Sequence, residues 1–170
     1  MLLGVGLAGC GGEQGNPSAA STTAVTGTST NASIPSVSST SGGTSLAGFD
    51  PCGPFNDVAG RFGLTEIEEA DSTSCDAEYS KSVSIRLDVH LDSGIADYNL
   101  LPDAEPSDTQ VGSRKAKLVK KTLSASSCAV AMEVTTSSRI DVVATANVSL
   151  DEACDAVTKV AAAVEPKLPK

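Results

Sequence analysis

Four cysteines, Cys52, Cys75, Cys128 and Cys154, lie within residues 49–170 of a 170-residue chain that has no tryptophan and is only 3% aromatic. A domain with so few large side chains builds a thin core, so covalent cross-links carry unusual weight in it. Four cysteines allow three pairings, and each pairing dictates which segments must be neighbours. The fifth, Cys10, stands apart near the start of the chain.

The residues before Cys10 run Met1-Leu2-Leu3-Gly4-Val5-Gly6-Leu7-Ala8-Gly9. Leu7-Ala8-Gly9-Cys10 has the form of a bacterial lipobox, small residues leading to a cysteine, and resembles the end of a lipoprotein signal peptide. Residues 1–10 are therefore read as a truncated signal, with Cys10 as the lipidated residue. A full secretory signal opens on positive charge. No Lys or Arg precedes Cys10, so the true start is expected upstream. Two or more acyl chains on Cys10 would anchor the chain stably, where one is marginal.

Residues 11–48 are read as a tether. Ser, Thr, Gly and Pro supply 25 of these 38 residues, and Glu13 is the only charge. Such a composition buries too little apolar surface to offset its ordering entropy. As a flexible coil it would span roughly 30–37 Å. Residues 49–170 are then a single globular domain.

The formal net charge of −9 argues against a nucleic-acid partner, because phosphates repel it. One histidine excludes a His-rich metal centre. No apolar run reaches the ~18 residues of a membrane-spanning helix. The charge is uneven: residues 50–110 hold 14 acids and 3 bases, net −11, whereas residues 111–170 hold 6 acids and 9 bases, net +3.

Periodicity gives the elements. Phe55, Val58, Ala59 and Phe62 follow helical spacing, so Pro54–Phe62 reads as a helix stopped by Gly63, with an acidic turn over Leu64–Ala70. Cys75, Ala77 and Tyr79 alternate with acids as a short strand. Ser82–Leu91 is the clearest strand, with Val83, Ile85, Leu87, Val89 and Leu91 on one face and Ser82, Ser84, Arg86, Asp88 and His90 on the other. A short helix is expected over Ile95–Leu101 and an acidic loop over Asp103–Gln110. Strands follow at Ala116–Leu123, Cys128–Val134 and Ile140–Val148, the last two joined by a hairpin at Thr136–Arg139. Ser149-x-x-Glu152 has capping-box form. Behind it Leu150, Ala153, Cys154, Val157, Val160, Ala161 and Val164 mark one helix face, ended by Pro166. The fold expected is α+β, an antiparallel sheet with helices packed on one face.

Asp50-Pro51-Cys52 opening a helix, a second cysteine before a hairpin, paired strands from Cys128, and a closing Leu150-Asp151-Glu152-Ala153-Cys154 helix ending in Leu168-Pro169 together resemble the actinobacterial lipoprotein family called domain of unknown function 3558. The resemblance covers nearly all of residues 49–170 and implies export, lipidation and a disulfide-stapled fold, with no established activity. The family usually carries a tryptophan just after its second cysteine. This chain has none there, and Tyr79 is read as filling that volume.

The favoured pairing is Cys52–Cys75 with Cys128–Cys154. Each pair joins a helix, or the residue leading into it, to a strand nearby in sequence, and Cys128 and Cys154 both fall on inward faces. A Cys₄ zinc site is the rival. No C-x₂-C spacing supports it, and an exported protein is oxidised.

His90, flanked by Asp88 and Asp92, shares its strand face with Ser82 and Ser84. A Ser/His/Asp arrangement can be drawn, but neighbours along one strand face point in parallel and do not converge; a solvated histidine is expected. Arg114, Lys115, Lys117, Lys120 and Lys121 form a basic run, read either as an anion-binding face or as a lysine-protected edge strand. Asp97, Asp103, Glu105 and Asp108 lack the spacing of a calcium loop and read as solubilising charge. No cofactor or metal is expected. These readings combine into a monomeric, non-enzymatic binding or scaffolding domain, lipid-anchored at the outer face of the cell membrane. Its partner would be an envelope polymer or a membrane protein. A sensory accessory and an envelope hydrolase using His90 are the rivals.

Overall fold

The computed structural model describes residues 45–170. The expected lipidation site at Cys10 and the tether up to residue 44 lie outside them. The folded part starts earlier than expected: Leu46 is buried, and the Phe49 amide donates to its carbonyl at 3.1 Å.

Helix α1 spans Gly53–Phe62, with proline in its first turn and Gly63 closing it at φ 66°, a left-handed cap suited to glycine. Strands β1 (Thr65–Asp71), β2 (Ser74–Ser80) and β3 (Val83–His90) follow as a meander. A single 3₁₀ turn at Ile95–Asp97 replaces the expected short helix. Then come β4 (Glu105–Val111), β5 (Arg114–Lys120), β6 (Ser127–Thr135), β7 (Ser138–Ala146) and helix α2 (Leu150–Val164). All seven strands form one antiparallel sheet in the order β1-β2-β3-β7-β6-β5-β4. The fold is thus α+β, with the sheet dominating.

Both edge strands correct the sequence reading. The segment read as an acidic turn is β1, and the segment read as an acidic loop is β4. Nearly every side chain on them is exposed, on both faces. Without a buried face there is no alternation to detect; each is held by backbone pairing to its hairpin partner. Their acids, the bulges in β1 and Pro106 in β4 are the usual protection of a sheet edge. The basic run is therefore not an edge, since β5 lies between β4 and β6.

Helix α2 packs across β3, β7 and β6, and α1 packs against α2 and β1. The core joins Phe55 and Val58 of α1, the Val83–Val89 stripe of β3, Ile140 and Val142 of β7, Val130 and Met132 of β6, and Val157, Val160 and Val164 of α2. Ser149 caps α2 by accepting from the Glu152 amide at 3.2 Å. The capping box is only half made: the Glu152 carboxylate turns instead to Ser82, whose hydroxyl donates to it at 2.7 Å.

Cys52 pairs with Cys75 and Cys128 with Cys154, with Cα separations of 5.1 and 5.0 Å. One bridge ties the start of α1 to β2, the other ties β6 to α2. Cys75 and Cys128 are fully buried. Tyr79 packs at the rim of this core, its ring 6.3 Å from that of Phe62.

Candidate functional site

The sheet face turned away from the helices carries the polar half of each strand's alternation. Antiparallel register sets Asp88 of β3 directly between Ser74 of β2 and Asp141 of β7. One step along, Arg86 lies between Asp76 and Val143; in the other direction His90 faces Arg139. Like charges directly opposite each other repel, so the Asp88–Asp141 pair needs compensation from its neighbours.

Asp141 receives most of it. Its side chain is 6% exposed; Arg139 Nε donates to both carboxylate oxygens at 3.0 and 3.1 Å, and His90 Nε2 lies 2.9 Å from Oδ2. Asp88 receives less. Arg86 Nε is 3.8 Å away, and that guanidinium is already committed to Asp76 through bonds of 2.8 and 3.0 Å. Burial therefore pushes the Asp88 carboxyl up to about 6, against the pull of Arg86 and with help from the charge on Asp141. A carboxylate tuned this way, within a cluster of charged groups, is a recognised mark of functional surface.

Arg139 also holds a strap over part of this face. Its Nη1 donates to the Ser93 carbonyl at 3.1 Å, the Ser93 hydroxyl at 2.6 Å and the Gly94 carbonyl at 2.9 Å, and its guanidinium lies 5.1 Å over the Tyr98 ring. Tyr98 and Ala104 cover a small second cluster of Val119, Ala129 and Val143, and the Tyr98 hydroxyl bonds Thr122 at 2.8 Å. This cover explains why β6 and β7 are buried on both faces. Gly94 is required at the start of the strap, because a Cβ there would sit 2.2 Å from the Thr136 carbonyl oxygen. Gly94→Ala is expected to destabilise the domain by about 2 kcal/mol and displace the strap. Amide exchange over residues 93–104 should accelerate while that of the α2 amides does not.

Beside the strap the face is open. A hollow of about 380 Å³ lies over β1, β2, β3 and β7, with Asp76 and Arg86 among its lining residues and Glu66, Glu68 and Glu78 around them. Glu66 sits in a β-bulge at φ 52°, a backbone conformation costly for a non-glycine residue.

The residues singled out from sequence are dispersed. His90 is one-third exposed, with Nε2 2.9 Å from the buried Asp141 carboxylate, so it is not the free solvated histidine expected. Ser84 lines the hollow, but Ser82 faces α2, so no Ser/His/Asp set forms on β3. The basic run does not form one anion-binding face. Arg114 is nearly buried on the helix side, 3.3 Å from Glu165, and donates to the Glu133, Leu168 and Pro169 carbonyls, pinning the C-terminal turn. Strand alternation puts Lys115 and Lys117 on one face and Lys120 on the other. Lys121 is held by Glu105 at 2.6 Å. Of the four acids weighed for calcium, Asp97 accepts from the Gly94 amide, Asp103 and Glu105 line a separate hollow, and Asp108 faces Lys117 across β4–β5. Among the described residues no group of three or more His, Cys, Asp or Glu is placed to hold a metal ion.

Asp141 and Arg139 are the functional candidates sequence reasoning missed. The spacing puts Arg139 in the hairpin turn, yet it is a buried member of β7. The signal was present: Arg139-Ile140-Asp141 puts two charges on the alternate positions of a strand that is otherwise apolar. No protein-family model, curated protein or solved structure matches this chain.

Proposed function

We propose that this chain is an exported lipoprotein of the family it resembles, lipid-anchored through Cys10. Its domain serves a non-enzymatic binding or scaffolding role at the outer face of the cell membrane. The observation that carries the reading is the pair of bridges, each fixing a helix to the sheet. Disulfides of this structural kind belong to oxidising compartments. The cysteine left over, Cys10, is the one in the lipobox. The open half of the outer face, with its hollow and its charged floor, is the surface best suited to a partner. The partner would be an envelope polymer or a membrane protein; a sensory accessory to such a protein is a variant of the same reading, separated by which proteins crosslink to it.

Replacing Cys10 with serine is the direct test. The variant should leave the membrane fraction for the soluble one while its two bridges remain intact. A variant that stays with the membrane to the same extent as the wild type contradicts lipidation at Cys10.

One contact favours a second reading, an envelope hydrolase using His90. A buried aspartate 2.9 Å from a histidine nitrogen is the arrangement that orients a general base. His90→Ala separates the two: an enzyme loses turnover while the fold survives, whereas a binding domain has no turnover to lose.

A further inference from the structure

The hollow over β1–β3 is not isolated. It shares Leu123 with a second hollow of about 520 Å³ beside the start of β4, and shares Glu66 and Glu78 with a third of about 360 Å³ around the β1 edge. Register places all three at one end of the sheet. Thr65 pairs with Glu78, Ser80 with Val83, Val83 with Ala146, Ser127 with Thr145, and Lys120 with both Cys128 and Glu105. The three hollows thus lie in succession along this end of the sheet, neighbours sharing lining residues, and together they are read as one groove. Six inter-strand spacings make it roughly 29 Å long, the span of about nine extended residues.

The chemistry changes along it. Glu66, Glu68 and Glu78 line the β1–β2 side; Arg86 there is already neutralised by Asp76, and Lys81 of the third hollow offsets one glutamate, which leaves the side acidic. Beyond them Leu123 is 67% exposed and Leu101 46% exposed, with Pro102 beside Leu101. Two leucines this exposed on neighbouring loops, next to concave surface, offer apolar area that a partner can cover.

We infer that this groove seats an extended polypeptide segment of a partner protein, its basic side chains against Glu66, Glu68 and Glu78 and its apolar side chains on Leu123 and Leu101. The inference rests on the binding reading above and specifies its partner. Charge complementarity chooses the occupant: the same carboxylates repel an anionic polymer or an anionic lipid surface. An extended chain of about nine residues also fits the length of the groove, with alternate side chains directed into it. The Glu66 bulge turns the β1 edge at the point where two hollows meet, which suits a ligand passing over the edge.

The test uses the oxidised full chain, labelled for NMR, and a nine-residue peptide with two lysines toward one end and two leucines toward the other. The peptide should shift the backbone amides of Glu66, Glu78 and Leu123, and its affinity should fall at least about fivefold between ~50 and ~300 mM salt. Leu123→Ser and Glu78→Gln should each weaken it by about tenfold; both variants should melt as the wild type does. A counterpart peptide with glutamates in place of lysines should not bind. Equal binding of both peptides, wild-type affinity in Leu123→Ser, or shifts of the groove residues by phosphatidylglycerol vesicles would overturn the inference. If the lysine peptide leaves the groove untouched while the chain still retains envelope proteins after crosslinking, this partner assignment fails and the binding reading stands. If the lysine peptide leaves the groove untouched and no envelope protein is retained, both fail.

Discussion

Replacing Cys128 and Cys154 together with alanine is expected to lower stability by about 3–4 kcal/mol. The bridge closes a loop with a sequence separation of 26 residues, and the entropy that such a closure removes from the unfolded chain corresponds to that magnitude. It joins the middle of the sheet to α2, the helix that covers most of it. The core has little with which to compensate: α2 contributes only alanines and valines as its buried side chains, and Phe55 is the one fully buried aromatic. At roughly 4 °C per kcal/mol for a domain of this size, the melting temperature should fall by more than about 10 °C. Calorimetry of the oxidised wild type against the double variant measures this. A shift of less than about 3 °C would mean that packing alone holds α2 on the sheet.

Asp88→Asn should raise stability near neutral pH and leave it unchanged in acid. The folded state holds the Asp88 carboxyl up at about 6, above its ordinary value of 3.8, chiefly because burial disfavours the charge. A group raised in this way favours the fold while it is protonated. Its contribution is complete below about pH 4 and is lost as pH rises through about 6. Asparagine has the shape of the protonated acid and cannot lose a proton. With the side chain 30% exposed, solvent screens part of the effect, which leaves a gain on the order of 2 kcal/mol at about pH 7.5. Urea denaturation of both forms at about pH 4 and about pH 7.5 checks this, and the difference should appear only at the higher pH. Equal stability at both values would show that Arg86 compensates Asp88 fully.

Elements with one buried face were legible in the sequence. The β3 alternation matches burial over Val83–His90, although Leu91, expected on the inward face, is exposed; the α2 stripe matches at Ala153, Val157, Val160, Ala161 and Val164, whereas Leu150 and Cys154 are only half-buried. The two cysteine pairs could be argued from the elements they join. What escaped was whatever leaves no pattern in a single segment. Strands β1 and β4 expose both faces, so only their pairing with β2 and β5 defines them. The basic run looked continuous, but alternation along β5 divides it between two faces, and Arg114 is spent on the C-terminal turn. The strap depends on Arg139 reaching Ser93 and Gly94, about 45 positions earlier in the chain, and the Asp88–Asp141 opposition depends on the β3–β7 register. Side chains brought together by register across distant strands cannot be seen from either strand alone.

The polar face therefore combines features of different origin. Asp141 and Arg139 form a buried anchor for the strap, with His90 beside Asp141, whereas Asp76, Arg86 and the glutamates around them remain open to a partner. Asp88 lies between the two groups, its carboxyl raised to about 6 chiefly by burial.

The account stands most directly on one mass measurement, made without reduction on the protein extracted from membranes. An N-terminal Cys10 carrying acyl chains, with peptides linked Cys52–Cys75 and Cys128–Cys154, is the expected result. A soluble, unacylated chain beginning at Met1 with four free thiols in place of the two bridges would contradict it.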